Sequence, residues 1–293
     1  MTMIADSAAL LAQLTRIADA LERKHPADMR LEDLVKEDAA DAYVWHADIR
    51  QLVAVERVNR LDISLLKGID EQRDDLLANS LAFVNGLPAN NALLWGARGT
   101  GKSSLVKAVH GTVVERGGNL GLVEIHREDI TDLPFLMSFL AKIDRNFIIF
   151  SDDLAFEGGE STYKSLKAAL EGGLEGRPDN IVFYATSNRR HLMPREMIEN
   201  ERSTAINQSE ATEETVSLSD RFGLWIGFHS IDQDTYLTMI DEYIKFYNIK
   251  ANGIDVRHEA LAWSIGRGSR SGRVAWQFIT DLAARTKTSL RQK

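Results

Sequence analysis

Between residues 92 and 185 the chain alternates short apolar runs with longer mixed stretches. Ala92-Leu93-Leu94-Trp95, Leu120-Gly121-Leu122-Val123-Glu124-Ile125, Phe147-Ile148-Ile149-Phe150 and Ile181-Val182-Phe183-Tyr184-Ala185 are short and almost uncharged. Runs of that length and composition predict strands buried on both faces. The stretches between them read as helices, among them Ser104-Leu105-Val106-Lys107-Ala108-Val109-His110. Strands alternating with helices predict an α/β fold, a doubly wound parallel sheet covered on both sides. Residues 71–85 read as a further helix, which Gly86-Leu87-Pro88-Ala89-Asn90 turns into the first of these strands.

The two ends follow other patterns. From Ile231 the chain is helical again: Tyr236, Leu237, Met239, Ile240, Tyr243 and Phe246 on one segment, then Ala260–Ile265, then Val274–Ala284. This predicts a helical lid over 230–293, behind a core over 61–229. Near the start, Leu10, Leu14, Ile17 and Leu21 form a helical stripe over 7–24 that Pro26 ends. That stripe either packs on its own domain or meets a partner. Tyr43-Val44-Trp45 and Leu52-Val53-Ala54-Val55 flank a polar stretch and predict a hairpin. Residues 1–60 are thus expected to form a small accessory region. Residues 197–216 are polar and acidic with little periodicity and predict a mobile surface loop.

Composition narrows the class. The chain has 293 residues, 44% hydrophobic and 27% charged, as in an ordinary soluble protein of two or three packed units. It contains no cysteine, which excludes disulfides and cysteine-based zinc or redox sites. A formal net charge of −8 disfavours a general electrostatic grip on nucleic acid. Met1–Asp6 has no basic n-region, and no apolar run is long enough to span a bilayer. A cytoplasmic protein without a membrane partner is expected.

The chemistry concentrates behind the strand at 92–95. Gly96-Ala97-Arg98-Gly99-Thr100-Gly101-Lys102-Ser103 fits G-x-x-x-x-G-K-[ST] at every fixed position. Glycines let backbone N–H groups converge on one anion, and the following helix aims its positive end at the same point. Gly96, Gly99, Thr100, Gly101, Lys102, Ser103 and Ser104 are the expected contacts to the phosphates of a nucleotide, with Lys102 on the β/γ-phosphates and Ser103 on Mg²⁺. An ordinary glycine turn with a solvated lysine would need only the same letters. Magnesium asks for hard oxygen ligands, and Ser151-Asp152-Asp153 supplies them at the end of an apolar strand. Asp152 is expected to hold Mg²⁺ and Asp153 to orient the attacking water; a helix-capping pair is the alternative. Asn188, in Ala185-Thr186-Ser187-Asn188, stands at another strand tip where it could bond the γ-phosphate or the water, or simply form a turn. Arg221, in Ser219-Asp220-Arg221-Phe222-Gly223, could neutralise transition-state charge at a neighbouring subunit's site, and Arg273, opening a lid helix, could reach back to the nucleotide. Either arginine could instead be a surface charge.

In this order the pieces resemble the AAA+ ATPases. Gly96–Ser103 is similar to their Walker A loop and Phe147–Asp153 to Walker B. Asn188 falls at the sensor-1 position, Arg221 at the arginine finger and Arg273 at sensor 2. Leu66-Lys67-Gly68-Ile69-Asp70 resembles the segment that touches adenine, which adds Gly68 and Ile69 to the candidate contacts. The resemblance covers roughly residues 61–285 and implies ATP and Mg²⁺ as cofactors and a homo-oligomeric ring with the finger acting in trans. One departure stands out: the second Walker B acid is usually glutamate, and here it is Asp153, although replication-initiator members also carry two aspartates. The wording around 68–70, 99–108, 152–157, 185–192 and 218–223 is further similar to an uncharacterised bacterial AAA+ family, a domain of unknown function.

Three activities fit these features. The first is an ATPase that remodels an unknown protein or assembly. The second is a nucleotide-gated binding switch with little turnover, to which Asp153 lends weight. The third is a helicase-loader-like ATPase on nucleic acid. The stretch His126–Phe135 lacks the aromatic–apolar–glycine triplet of polypeptide-threading rings. Arg189, Arg190 and Arg195, then Arg267, Arg270 and Arg273, then Arg285, Lys287, Arg291 and Lys293 are basic groups, but Trp45, Trp95, Trp225 and Trp263 are scattered and form no stacking platform. Nucleic acid is therefore a possible partner, not the favoured one.

Overall fold

A computed structural model describes residues 40–155, 160–172, 176–190, 192 and 221–290. The helix expected over 7–24 and the loop expected over 197–216 lie outside them, as do Arg195, Arg291 and Lys293.

Seven strands form one sheet in the order β2-β1-β4-β5-β6-β3-β7. They are β1 (Ala42–His46), β2 (Gln51–Ala54), β3 (Ala92–Gly96), β4 (Leu120–Glu124), β5 (Asn146–Ser151), β6 (Ile181–Ser187) and β7 (Leu224–Phe228). All neighbours run parallel except β1 and β2, which form the expected hairpin. The hairpin is not apart from the sheet. β1 pairs in parallel with β4, so residues 42–54 extend the sheet at its edge. β7 closes the other edge beside β3.

The apolar runs become strands because both faces are covered. Helix α1 (Asp70–Val84) and helix α2 (Lys102–Glu115) lie on one face; α3 (Leu133–Leu140) and α4 (Glu160–Glu171) lie on the other. Alternate residues of one strand therefore enter different cores. Ile148, Phe150, Val182 and Tyr184 join Leu105, Val106 and Val109 of α2. Phe147, Ile149, Ile181 and Phe183 join Leu133, Leu136 and Leu166. Each such Leu, Ile or Phe side chain stabilises the fold by roughly 1.5–3 kcal/mol. Tyr184 is buried, and its hydroxyl meets Asn79 and Ser80 of α1, each at 2.9 Å, which fixes α1 on the sheet.

The C-terminal unit has its own core. Helices α5 (Gln233–Phe246), α6 (Val256–Gly266) and α7 (Gly272–Arg285) bury Tyr236, Ile240, Ala260, Phe278, Ile279 and Leu282 together. Asp232, Asp255 and Ser271 cap the three N-termini with side-chain oxygens. The link to the sheet is compact. Leu65 packs in the helical core while the next residue, Leu66, packs under α2. Lys67 pairs with Glu242 of α5 at 3.3 Å.

Candidate active site

The carboxyl ends of β3, β5 and β6 point to the same edge because these strands are parallel and adjacent. Register and alternation then decide which side chains meet. Ser151 pairs with Ala185, and Leu94 with Thr186. Residues 148 and 150, 182 and 184, and 92 and 94 all face α2. Continuing that alternation brings Asp152, Thr186 and Asn188 to the side where α2 begins.

The loop between β3 and α2 wraps this edge. Gly101 caps α2 with φ 99°, a left-handed conformation that glycine adopts without a Cβ penalty. Gly99, with φ 74°, lies against the start of α7: a Cβ there would stand 3.0 Å from Ser271 Oγ. The Thr100 hydroxyl donates to Ala97 O at 2.8 Å and ties the loop to itself. Lys102 is buried. Its ammonium donates to Gly96 O at 2.9 Å, Ala97 O at 2.7 Å and Asn188 Oδ1 at 3.2 Å. Burial pushes this lysine below its ordinary value; the Asp153 and Asp152 carboxylates oppose the shift, and Arg273 and Arg98 add to it.

The acidic pair faces the same point. Ser103 Oγ donates to Asp152 Oδ1 at 2.5 Å. Asn188 Nδ2 donates to Asp153 Oδ1. Arg98 stands 3.7 Å from Asp153 Oδ2, an exposed pair that contributes little by itself. Asp153 has φ 52°, in the left-handed region that aspartate tolerates better than most residues.

These groups line a cavity of about 580 Å³ between the sheet edge and the helical unit. Ile69, Gly99, Thr100, Gly101, Lys102, Ser103, Ser104, Asp152, Asp153, Asn188 and Arg273 all reach it. Gly96 serves it indirectly, through the carbonyl that receives Lys102. Gly68 turns the chain against Thr235 of α5 beside it. Arg221 is elsewhere. It precedes β7 and so sits at the amino end of the sheet, opposite the cavity, paired with Glu171 of α4.

Thr186, Tyr243 and Trp276 are among the lining residues that carried no assignment in the sequence. The two aromatic rings pack edge to face, 5.4 Å apart. Trp276 follows Arg273 by three positions and shares its helix face, a signal that spacing alone contained. Among the described residues no cluster of three or more His, Cys, Asp or Glu could hold a metal unaided. The hard-oxygen set beside Lys102, a hydroxyl and a carboxylate in contact, instead suits Mg²⁺ arriving with a phosphate ligand.

A mostly parallel sheet of this order, with a glycine loop and lysine after β3, second from the edge, and acids after β5, next but one to it, is the AAA+ form of the P-loop fold. A solved structure resembles it. Aeropyrum pernix Orc1 in complex with DNA matches with a TM-score of 0.53 and 14% identity, over 75% of this chain and 61% of that one, so the chain spans less than two thirds of Orc1. The Thermotoga maritima RuvB Holliday junction branch migration motor matches with a TM-score of 0.43 and 14% identity, over 75% and 71% of the two chains. At that identity the likeness to Orc1 is one of fold. No curated protein matches the chain. The chain belongs to the family described as "Protein of unknown function (DUF815)", which matches residues 38–286.

Proposed function

We propose that this chain binds Mg-ATP at the β3–α2 loop and hydrolyses it to remodel a protein or assembly. One observation carries the reading: Lys102, Ser103, Asp152, Asp153 and Asn188, drawn from three strand ends, converge on one cavity capped by Arg273. Gly99, Thr100, Gly101 and Ser104 would bind the phosphates through the backbone, and Lys102 would exchange its carbonyl partners for phosphate oxygens. Ser103 and Asp152 would hold the magnesium ion, whose charge offsets that of the phosphates. Asp153 would orient a water, with Asn188 fixing the carboxylate. Ile69, with Gly68 before it, and Tyr243 and Trp276 would frame the place for the base. Residues 230–293 serve as the lid over the core of 61–229, and residues 1–60, whose hairpin extends the sheet, as an accessory region.

Arg221 cannot serve its own cavity from the opposite edge of the sheet, which supports a role in trans within a homo-oligomer. Titration calorimetry with Mg-ATP should show binding to the wild type and none to Lys102→Ala. Specific activity should rise with protein concentration and fall to the dilute value in Arg221→Ala. Absence of heat with any purine triphosphate refutes the reading.

A second reading rests on Asp153. Its short arm is engaged by Asn188 and faces Arg98, as a nucleotide-gated switch with little turnover would allow. Binding without measurable hydrolysis at any protein concentration selects that reading.

A further inference from the structure

We propose that Thr186 is a positioning residue that locks both aspartates of the site through one hydroxyl. The inference rests on the Mg-nucleotide reading above. Thr186 is buried, 1% exposed, at the end of β6. Its Oγ1 donates to Asp152 Oδ1 at 2.5 Å and accepts from the Asp153 backbone N–H at 2.9 Å. The direction of both bonds is fixed by chemistry. A backbone N–H only donates and an ionised carboxylate only accepts, so the hydroxyl is left one arrangement. The Thr186 carbonyl completes the clamp, accepting from Leu154 N at 2.7 Å.

The clamp answers two needs. Asp152 Oδ1 also receives Ser103 Oγ at 2.5 Å and the Asp153 N–H at 3.1 Å. When Ser103 turns to a metal ion, Thr186 still holds that carboxylate oxygen, so the acid meets the ion already oriented. The Asp153 backbone, in its left-handed conformation, is held at its N–H by the same hydroxyl. Asn188 then meets an Asp153 carboxylate whose origin is fixed. A hydroxyl is required at this position and a methyl is not. Valine keeps the strand-favouring shape and loses the two bonds; serine keeps the bonds and loses the methyl.

The test is binding of ADP and of a non-hydrolysable ATP analogue to the wild type, Thr186→Val and Thr186→Ser, by calorimetry with and without Mg²⁺. Metal-free affinity should be equal in all three. The gain in affinity on adding Mg²⁺ should fall about tenfold or more in Thr186→Val and be kept by Thr186→Ser, as for other groups that orient metal ligands. Where turnover is measurable, Thr186→Val should lower kcat and raise KM for Mg-ATP, and Thr186→Ser should keep both near the wild-type values. Thr186→Ala repeats the comparison should the valine variant not fold. The proposal is overturned if Thr186→Val keeps the full Mg²⁺ gain, or if serine loses as much as valine, which would assign the residue to packing. A wild type that binds no nucleotide would sink the functional reading itself; a wild type that binds while Thr186→Val matches it would sink this inference alone.

Discussion

Acidification from pH 7.5 to pH 5 should cost this protein about 2 kcal/mol through one residue, His110. The ring is fully buried on α2. Its Nε2 lies 3.2 Å from Leu120 O and must donate there, because a carbonyl only accepts. Nδ1 is then unprotonated and has no hydrogen-bond partner among the described residues. A second proton would bring a charge into the apolar interior and an N–H with nothing to receive it. Burial accordingly pushes His110 down to about 4 from its ordinary 6.5; the Leu120 carbonyl and Asp41 oppose the shift, and Arg60 and Arg145 add to it. Above pH 6.5 the ring is mostly neutral, folded or unfolded, and the effect is small. As pH falls below 6.5 the unfolded chain takes up a proton that the folded chain refuses until about 4, so stability is lost through that window. At pH 5 the loss is about 2 kcal/mol, and below both values it reaches about 3 kcal/mol.

His110→Leu isolates this contribution from the carboxylates that titrate nearby. Leu120 O keeps a donor in the variant, because Arg145 Nη2 also reaches it at 3.2 Å. Urea denaturation of wild type and variant at pH 7.5 and pH 5, followed by tryptophan fluorescence and far-UV circular dichroism, gives four stabilities. The wild type should lose about 2 kcal/mol more than His110→Leu between the two pH values. Equal losses would show that the buried ring does not resist protonation, and would refute the reasoning.

Two further outcomes concern the cavity. Asp153→Asn should bind Mg-ATP with affinity within a few-fold of the wild type and show no turnover, measured by phosphate release; persistent hydrolysis would show that another group orients the water. Trp276→Leu should weaken nucleotide binding about tenfold, the order expected for losing a stacked aromatic surface, and should abolish most nucleotide-dependent change in tryptophan fluorescence; unchanged affinity would remove Trp276 from the base-binding wall.

Much of the core was legible because its strands are buried on both faces. The runs at 120–125, 147–150 and 181–185 had one physical explanation, and they became β4, β5 and β6. The loop at 96–103 was legible because its spacing is set by backbone geometry. What failed to show is decided by long-range pairing. Leu224-Trp225-Ile226-Gly227-Phe228 is an edge strand with a glycine inside, and only its register with β3 makes it β7. The hairpin at 42–54 was readable, but not its attachment to β4. Thr186 looked like any strand-end threonine until pairing set it beside Asp152. Phe246 fits the apolar stripe of α5, yet it is 43% exposed, while Tyr247 and Ile249 just beyond it pack into the core.

The split between Leu65 and Leu66 has a mechanical consequence. Each leucine is anchored in a separate hydrophobic mass, so a rigid rotation of the three helices against the sheet has to bend the chain here and at residues 229–232, which join β7 to α5. The cavity rim lies at the first of these two places, where Leu65, Leu66 and Lys67 border it. Adjustments there on the scale of one bond rotation are geared up with distance, and the outer surface of the helical unit travels furthest.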